Sequence, residues 1–256
     1  MALRNKDFLV LLIRLFLGYV FFSSGICKLT HGNFGQLIGP PWLEERLAQY
    51  GLGLFAQVVA VSQVVCGALL FSQRFSTLGA VMLVPMNLAI LAVTISQNWT
   101  GTPYVNAVFL LLNGLLLAYE HQKFRFLFSA APMSAPAATA LDRYRAGFWP
   151  WAMLAAALVT LAVAPFNVQV LTNTAGLLTF ALAGAAVLVP AGLSRLEKLM
   201  VAQAIGNMCL MTLGFVPMAI QGLLVNSGIL LVLLLANPWL RARNKGKNLQ
   251  TASLSA

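Results

Sequence analysis

The chain has 256 residues, 60% of them hydrophobic and only 9% charged. Soluble domains carry about a quarter charged residues, so a water-soluble globule is excluded: there is too little polar surface to cover it. The net charge of +10 lies in short segments between apolar runs, a pattern that fits membrane orientation and contact with anionic lipid and argues against a nucleic-acid interface.

A spanning helix needs ~20 apolar residues. Eight runs qualify: 8–27, 52–71, 76–96, 104–120, 148–164, 170–189, 199–216 and 219–236. They predict an all-α, polytopic membrane protein with eight transmembrane helices in two groups of four. The expected organisation is a four-helix bundle over 1–126, a cytoplasmic linker over 127–147, a second four-helix bundle over 148–240, and a basic cytoplasmic tail over 241–256.

The first run carries Arg14 and has no A-x-A-like cleavage site, so it is read as a mature helix and not as a signal peptide. After it, Pro40-Pro41 precedes Trp42-Leu43-Glu44-Glu45-Arg46-Leu47. Proline at a helix start, acids in the first turn and an apolar side predict a short interfacial helix there. Pro85 falls inside the third run and is expected to kink it. The stretch 129–140, rich in Ala, Pro and Ser, reads as linker. In the sixth run Ala181, Gly184 and Ala185 share a helical face suited to close packing.

With the N-terminus inside, thirteen of the sixteen Lys and Arg fall in inner segments, including Arg4, Arg74, Lys123, Arg145, Arg195 and Arg241. Only Lys28 and Arg46 fall outside, and Arg14 is intramembrane. This bias places both termini in the cytoplasm and suits a bacterial inner membrane. A weak repeat supports two parallel halves: Arg74 precedes Val105-Asn106 much as Arg195 precedes Val225-Asn226.

Arg14 is the first residue of chemical interest. It lies ~9 Å into a core of ~30 Å, where a charge must face the bundle interior or snorkel. Gln63, Asn87 and Asn113 reach similar depths, ~10–16 Å from the inner edge. Together the four predict a polar pocket in the inner half of the first bundle, or a set of interhelical hydrogen bonds holding register. No carboxylate of the first four helices is deep enough to pair with Arg14, although Glu120 lies at the inner end of helix four. At the outer end stand Cys27, Lys28 and His31. Lys28 could lower the Cys27 thiol pKa, or serve as a snorkelling anchor beside an inert cysteine. The three cysteines form no CxxC, and two histidines are too few for a haem-ligating bundle, so no metal site is expected.

Helix one reads Arg14-x3-Gly18-x6-Gly25-x2-Lys28-Leu29, and helix two reads Gln63-x3-Gly67 followed by Leu69-Leu70 and Arg74. Over roughly 8–126 this resembles the DoxX family, which includes DoxD- and MauE-like members. The resemblance implies a membrane four-helix bundle tied to redox work, as in quinone-linked oxidoreductase subunits, oxidative-stress complexes and maturation factors. Arg14, Gly18, Gly25 and Lys28 match the family pattern. Gln63 departs from it, since many members carry a glutamate about there, and the additional four helices depart as well.

The expected function is a DoxX-like accessory subunit of a quinone-linked membrane redox system. It would bind a quinone or lipid near Arg14, Gln63, Asn87 and Asn113, with Lys28 and His31 at the outer end. Its expected partners are membrane lipids and redox-complex proteins, with no nucleic acid. No ligand set for haem or an iron–sulfur cluster is visible, so the isolated chain is not expected to be an enzyme. The alternatives are a small-molecule or lipid transporter, and an assembly factor or scaffold subunit.

Overall fold

A computed structural model describes residues 3–37, 42–127, 138–213, 221 and 224–237. Its helices are α1 (Asn5–Leu29), α2 (Leu43–Ala48), α3 (Gly53–Phe71), α4 (Ser76–Ser96), α5 (Thr102–Tyr119), α6 (Phe148–Val163), α7 (Gln169–Leu188), α8 (Arg195–Thr212) and α9 (Leu224–Asn237). Short 3₁₀ turns cover His121–Leu127, Ala140–Arg145 and Ala164–Phe166. Among the described residues there is no strand. Hydrocarbon offers the backbone no hydrogen-bond partner, so a helix, which satisfies its own amides, is the form these apolar runs must take.

The protein is a multi-pass, all-α membrane protein. Among the described residues six helices are long and apolar enough to span: α1, α3, α4, α5, and the segments Phe148–Phe166 and Gln169–Leu188. The expected seventh and eighth spans coincide in part with α8 and α9. The first turn of α8 holds Arg195, Glu197 and Lys198, and α9 is short. The expected basic tail, 241–256, lies outside the described residues, as does most of the expected Ala/Pro/Ser linker.

α1 is the mast of the structure. It packs on α3 most extensively, and also on α5 and α8. The α1–α3 contact is made close by small residues at matching spacing. A Cβ on Gly67 would lie 2.5 Å from the Phe22 nitrogen and 2.7 Å from the Gly18 carbonyl. A Cβ on Gly25 would lie 2.5 Å from the Ala60 carbonyl. Gly18 and Gly25 are two helical turns apart, and so are Ala60 and Gly67, so the antiparallel helices meet at two levels. The backbones can approach this closely because no side chain intervenes.

The two halves share a core. Phe180 of α7 lies edge-on or tilted against Tyr19, Phe22, Phe34 and Phe71, with ring centroids 5.4–6.5 Å apart. Such aromatic contacts add to simple area burial. Phe34 comes from the segment that follows α1, and it reaches Gly176 of α7. The buried side of α7 runs through Phe180, Ala183, Gly184 and Val187. Gly184 packs on Ile205 of α8, while Ala181 faces outward.

Candidate functional site

The basic end of the bundle is a charged knot. Arg14 is 3% exposed. Its guanidinium pairs with Glu120 and donates to Gln73 Oε1 at 3.4 Å. Glu120 also accepts from Thr77 and from Lys123 at 2.9 Å. Lys123 continues to Asp142 at 3.2 Å, which Arg145 binds at 3.0 Å. The side chain of Arg14 therefore reaches back toward the end of α5, where the carboxylate waits. The charge expected to lack a counter-ion has one, and a buried pair of this kind compensates itself. Arg14, Thr77, Ala80, Leu116 and Glu120 close on one another and leave no cavity.

The amides do not converge on Arg14. Asn113 is fully buried and donates to the Ala80 carbonyl at 2.9 Å, tying α5 to α4. Asn87 accepts at its backbone carbonyl from Asn106 Nδ2 at 2.8 Å, a second α4–α5 tie. Asn106 and Asn113 lie two turns apart on one face of α5, a spacing that could have singled out Asn106 alongside its partner. Equal depth along an axis does not fix direction around it, which explains how four groups at one level face different neighbours.

Free space and unpaired polar atoms coincide at the other end. Lys28 sits in the last turn of α1, where a cation is favoured by the helix carbonyls. It is only 3% exposed. Its ammonium donates to the Ser24 carbonyl at 3.1 Å and to Ser24 Oγ at 2.5 Å. Among the described residues no carboxylate forms an ion pair with it. An ammonium has three protons to donate, so one remains. Gln63 of α3 is 5% exposed, and its Oε1 has no partner. Both residues line a partly open cavity of about 70 Å³ between α1, α3, α4 and α5. The other walls are apolar, among them Phe21, Val59, Ile90 and Phe109.

At the mouth of this cleft stand Trp99 and Thr102, with Leu47 of α2 beside them. α2 forms where the acids of the first turn and the apolar positions had predicted an interfacial helix. Trp42 meets Trp99 with ring centroids 5.8 Å apart, and Arg46 lies over Trp42 at 5.6 Å. His31 is exposed at the nearby turn, in a left-handed conformation (φ 48°), and its ring lies 4.0 Å from Glu45. It does not line the cleft. Cys27 is buried beside Lys28, among apolar neighbours. A second cavity, about 350 Å³, lies between α1, α8 and α9, with Leu12, Tyr19, Asn207, Met211 and Leu230 on its walls.

Residues 9–96 match the DoxX family model. The matched segment covers most of α1 and all of α2 through α4 and contains Arg14, Lys28, Gln63 and Asn87. Asn106, Asn113 and Glu120 lie beyond it on α5 and its exit. The matched segment includes the Gly18–Gly67 and Gly25–Ala60 crossing, so the glycines of the DoxX-like pattern have a structural reason: they let α1 and α3 touch. No curated protein matches the chain, and no solved structure does.

Proposed function

We propose that this protein is a DoxX-like accessory subunit of a quinone-linked membrane redox system in a bacterial inner membrane, and that its first bundle binds a quinone or a lipid. One observation carries the reading: a buried ammonium without a carboxylate partner and a buried amide oxygen without a donor border the same apolar cleft. Leaving either group unmatched in a low-dielectric interior is costly; an acceptor on the ligand would engage the Lys28 ammonium, and a ligand hydroxyl, such as that of a quinol or a lipid headgroup, would donate to Gln63 Oε1. The cleft at Lys28 and Gln63 is the ligand site in this reading, and the Arg14–Glu120 pair is the architectural anchor beneath it. Electron transfer itself would fall to a partner protein or to the bound quinone.

The test is gentle purification of the intact chain, followed by mass spectrometry of extracted quinones, lipids and copurifying proteins. Wild type is expected to retain a quinone or lipid, and Lys28→Met and Gln63→Leu to retain less at unchanged helicity. A wild-type preparation stripped of both, with no redox partner, would overturn the proposal. The cavity between α1, α8 and α9 favours a second reading, transport of a lipid or small molecule. That reading requires uptake into sealed vesicles by the chain alone.

A further inference from the structure

We infer that the occupant of the Lys28 cleft is an anionic amphiphile that inserts an apolar chain, entering beneath α2. This rests on the ligand-binding reading above and narrows it to a charge and an apolar chain.

The charge follows from two cations and the whereabouts of the acids. Lys28 lies inside the cleft, and Arg46 lines the adjoining polar hollow with Gln97, Asn98 and Thr100. The cleft and the hollow share Trp99 and Thr102 as walls and therefore adjoin. The acids of this end are turned elsewhere: Glu44 accepts from Gln57, and Glu45 is near His31. Among the described residues neither Lys28 nor Arg46 has an ion-pair partner. A neutral ring would leave both cations uncompensated, whereas one carboxylate or phosphate at the mouth would serve both.

Position and lining determine the rest. Lys28 is one residue from the end of α1, so its ammonium sits near the level of lipid headgroups. Val20, which also lines the cleft, lies eight residues deeper, ~12 Å at 1.5 Å per residue. The lining between is mostly apolar, a surface suited to a hydrocarbon chain. The Trp42–Trp99 pair belongs at this level too, since indole rings favour the membrane interface.

The carboxylate of a fatty acid and the phosphate of a lipid share this chemistry, and the experiment separates them. The full chain is reconstituted in nanodiscs of phosphatidylcholine doped with oleate, with phosphatidylglycerol, or with a neutral short-chain quinone. Retained molecules are then counted by native mass spectrometry. Wild type is expected to enrich oleate or phosphatidylglycerol over phosphatidylcholine and quinone. Arg46→Gln and Lys28→Met should each lower that enrichment about five-fold, the effect of one basic residue near an anionic surface. Lys28→Arg should keep it, and Ala56→Trp, which fills the cleft, should abolish it. Arg46 is exposed, so its variant remains informative if Lys28→Met does not fold. Retention of oleate alone or of phosphatidylglycerol alone supports the inference and names the anion. Equal retention of quinone and the anionic species, insensitive to Arg46→Gln, overturns the inference but leaves a ligand-binding cleft. Retention of nothing by the wild type overturns both.

Discussion

Arg74 and Arg145 are bound to each other reciprocally. Arg74 Nη1 donates to the Arg145 carbonyl at 2.9 Å, and Arg145 Nε donates to the Arg74 carbonyl at 3.1 Å. Two residues of like charge are thus joined through their backbones, while Asp142 takes the second charge. The Arg74 guanidinium also lies 4.8 Å from the centre of the Trp151 ring on α6. The turn between α3 and α4 is fastened in this way to the start of the second half.

Arg74→Ala removes one hydrogen bond to a carbonyl and the cation–π contacts with Phe75 and Trp151. It is expected to cost about 1–3 kcal/mol, measured as a lowered midpoint in thermal unfolding of the detergent-solubilised protein. Arg74→Lys should recover part of the loss, because the cation over Trp151 remains. A midpoint unchanged by Arg74→Ala would mean that the two halves do not depend on this fastening.

Gly67→Ala tests the helix crossing. The added methyl would meet the Phe22 backbone at 2.5 Å and the Gly18 carbonyl at 2.7 Å, neither of which can swing aside. Overpacking of this kind costs about 1–3 kcal/mol. Gly114→Ala is the matched control, since nothing lies within 4 Å of its new methyl. Equal unfolding midpoints for the two variants would contradict the close approach of α1 and α3.

These residues show what the sequence could tell and what it could not. The first six apolar runs became helices within a few residues of their expected ends, because hydrocarbon leaves the backbone no other choice. α1 is longer than its apolar run, Asn5–Leu29 against 8–27, because Asp7 and Lys28 are both buried within it. Glu120 was legible as a partner for Arg14 only in outline: depth was counted at the backbone, whereas a long arginine side chain carries its charge toward the helix end. The C-terminal part of the expected linker was harder still. Leu141 and Tyr144 are fully buried in a 3₁₀ turn, and six residues offer no periodicity from which burial could be read. The Lys28 cleft was half visible. Lys28 and Gln63 stood out by type, but their meeting depends on rotation of α1 against α3, which the glycine spacing permits and does not spell out.

Asp142 makes the basic end sensitive to acid. Burial pushes its carboxyl up, but the Thr139 amide, Arg145 and Lys123 outweigh this and hold it below the ordinary aspartate range. A carboxyl depressed in the folded state contributes stability that is complete above its unfolded value, ~3.9, and disappears as pH falls through the lower folded value. Wild type should therefore exceed Asp142→Asn in unfolding midpoint at neutral pH. The gap should persist to about pH 4 and close below it. A gap that stayed constant to the lowest accessible pH would show that the Asp142 charge does not stabilise the knot.

The Arg14–Glu120 pair yields the sharpest test of the architecture. Each partner alone is a buried charge, 4% and 3% exposed at the side chain. Arg14→Met would leave Glu120 with Lys123 and Thr77, whereas Glu120→Gln would leave Arg14 with only neutral hydrogen-bond acceptors, Gln73 and the new amide. Removing one member of a buried pair typically costs about 3–5 kcal/mol, while replacing both by apolar residues is often close to neutral. The expected order of unfolding midpoints is therefore wild type near the double variant Arg14→Met/Glu120→Leu, then Arg14→Met, then Glu120→Gln lowest. The double variant should also keep whatever the Lys28 cleft retains, since that cleft shares no residue with the pair. Additive losses in the double variant would mean that Arg14 and Glu120 are held by other neighbours, and a cleft emptied by the double variant would tie the ligand to Arg14 after all.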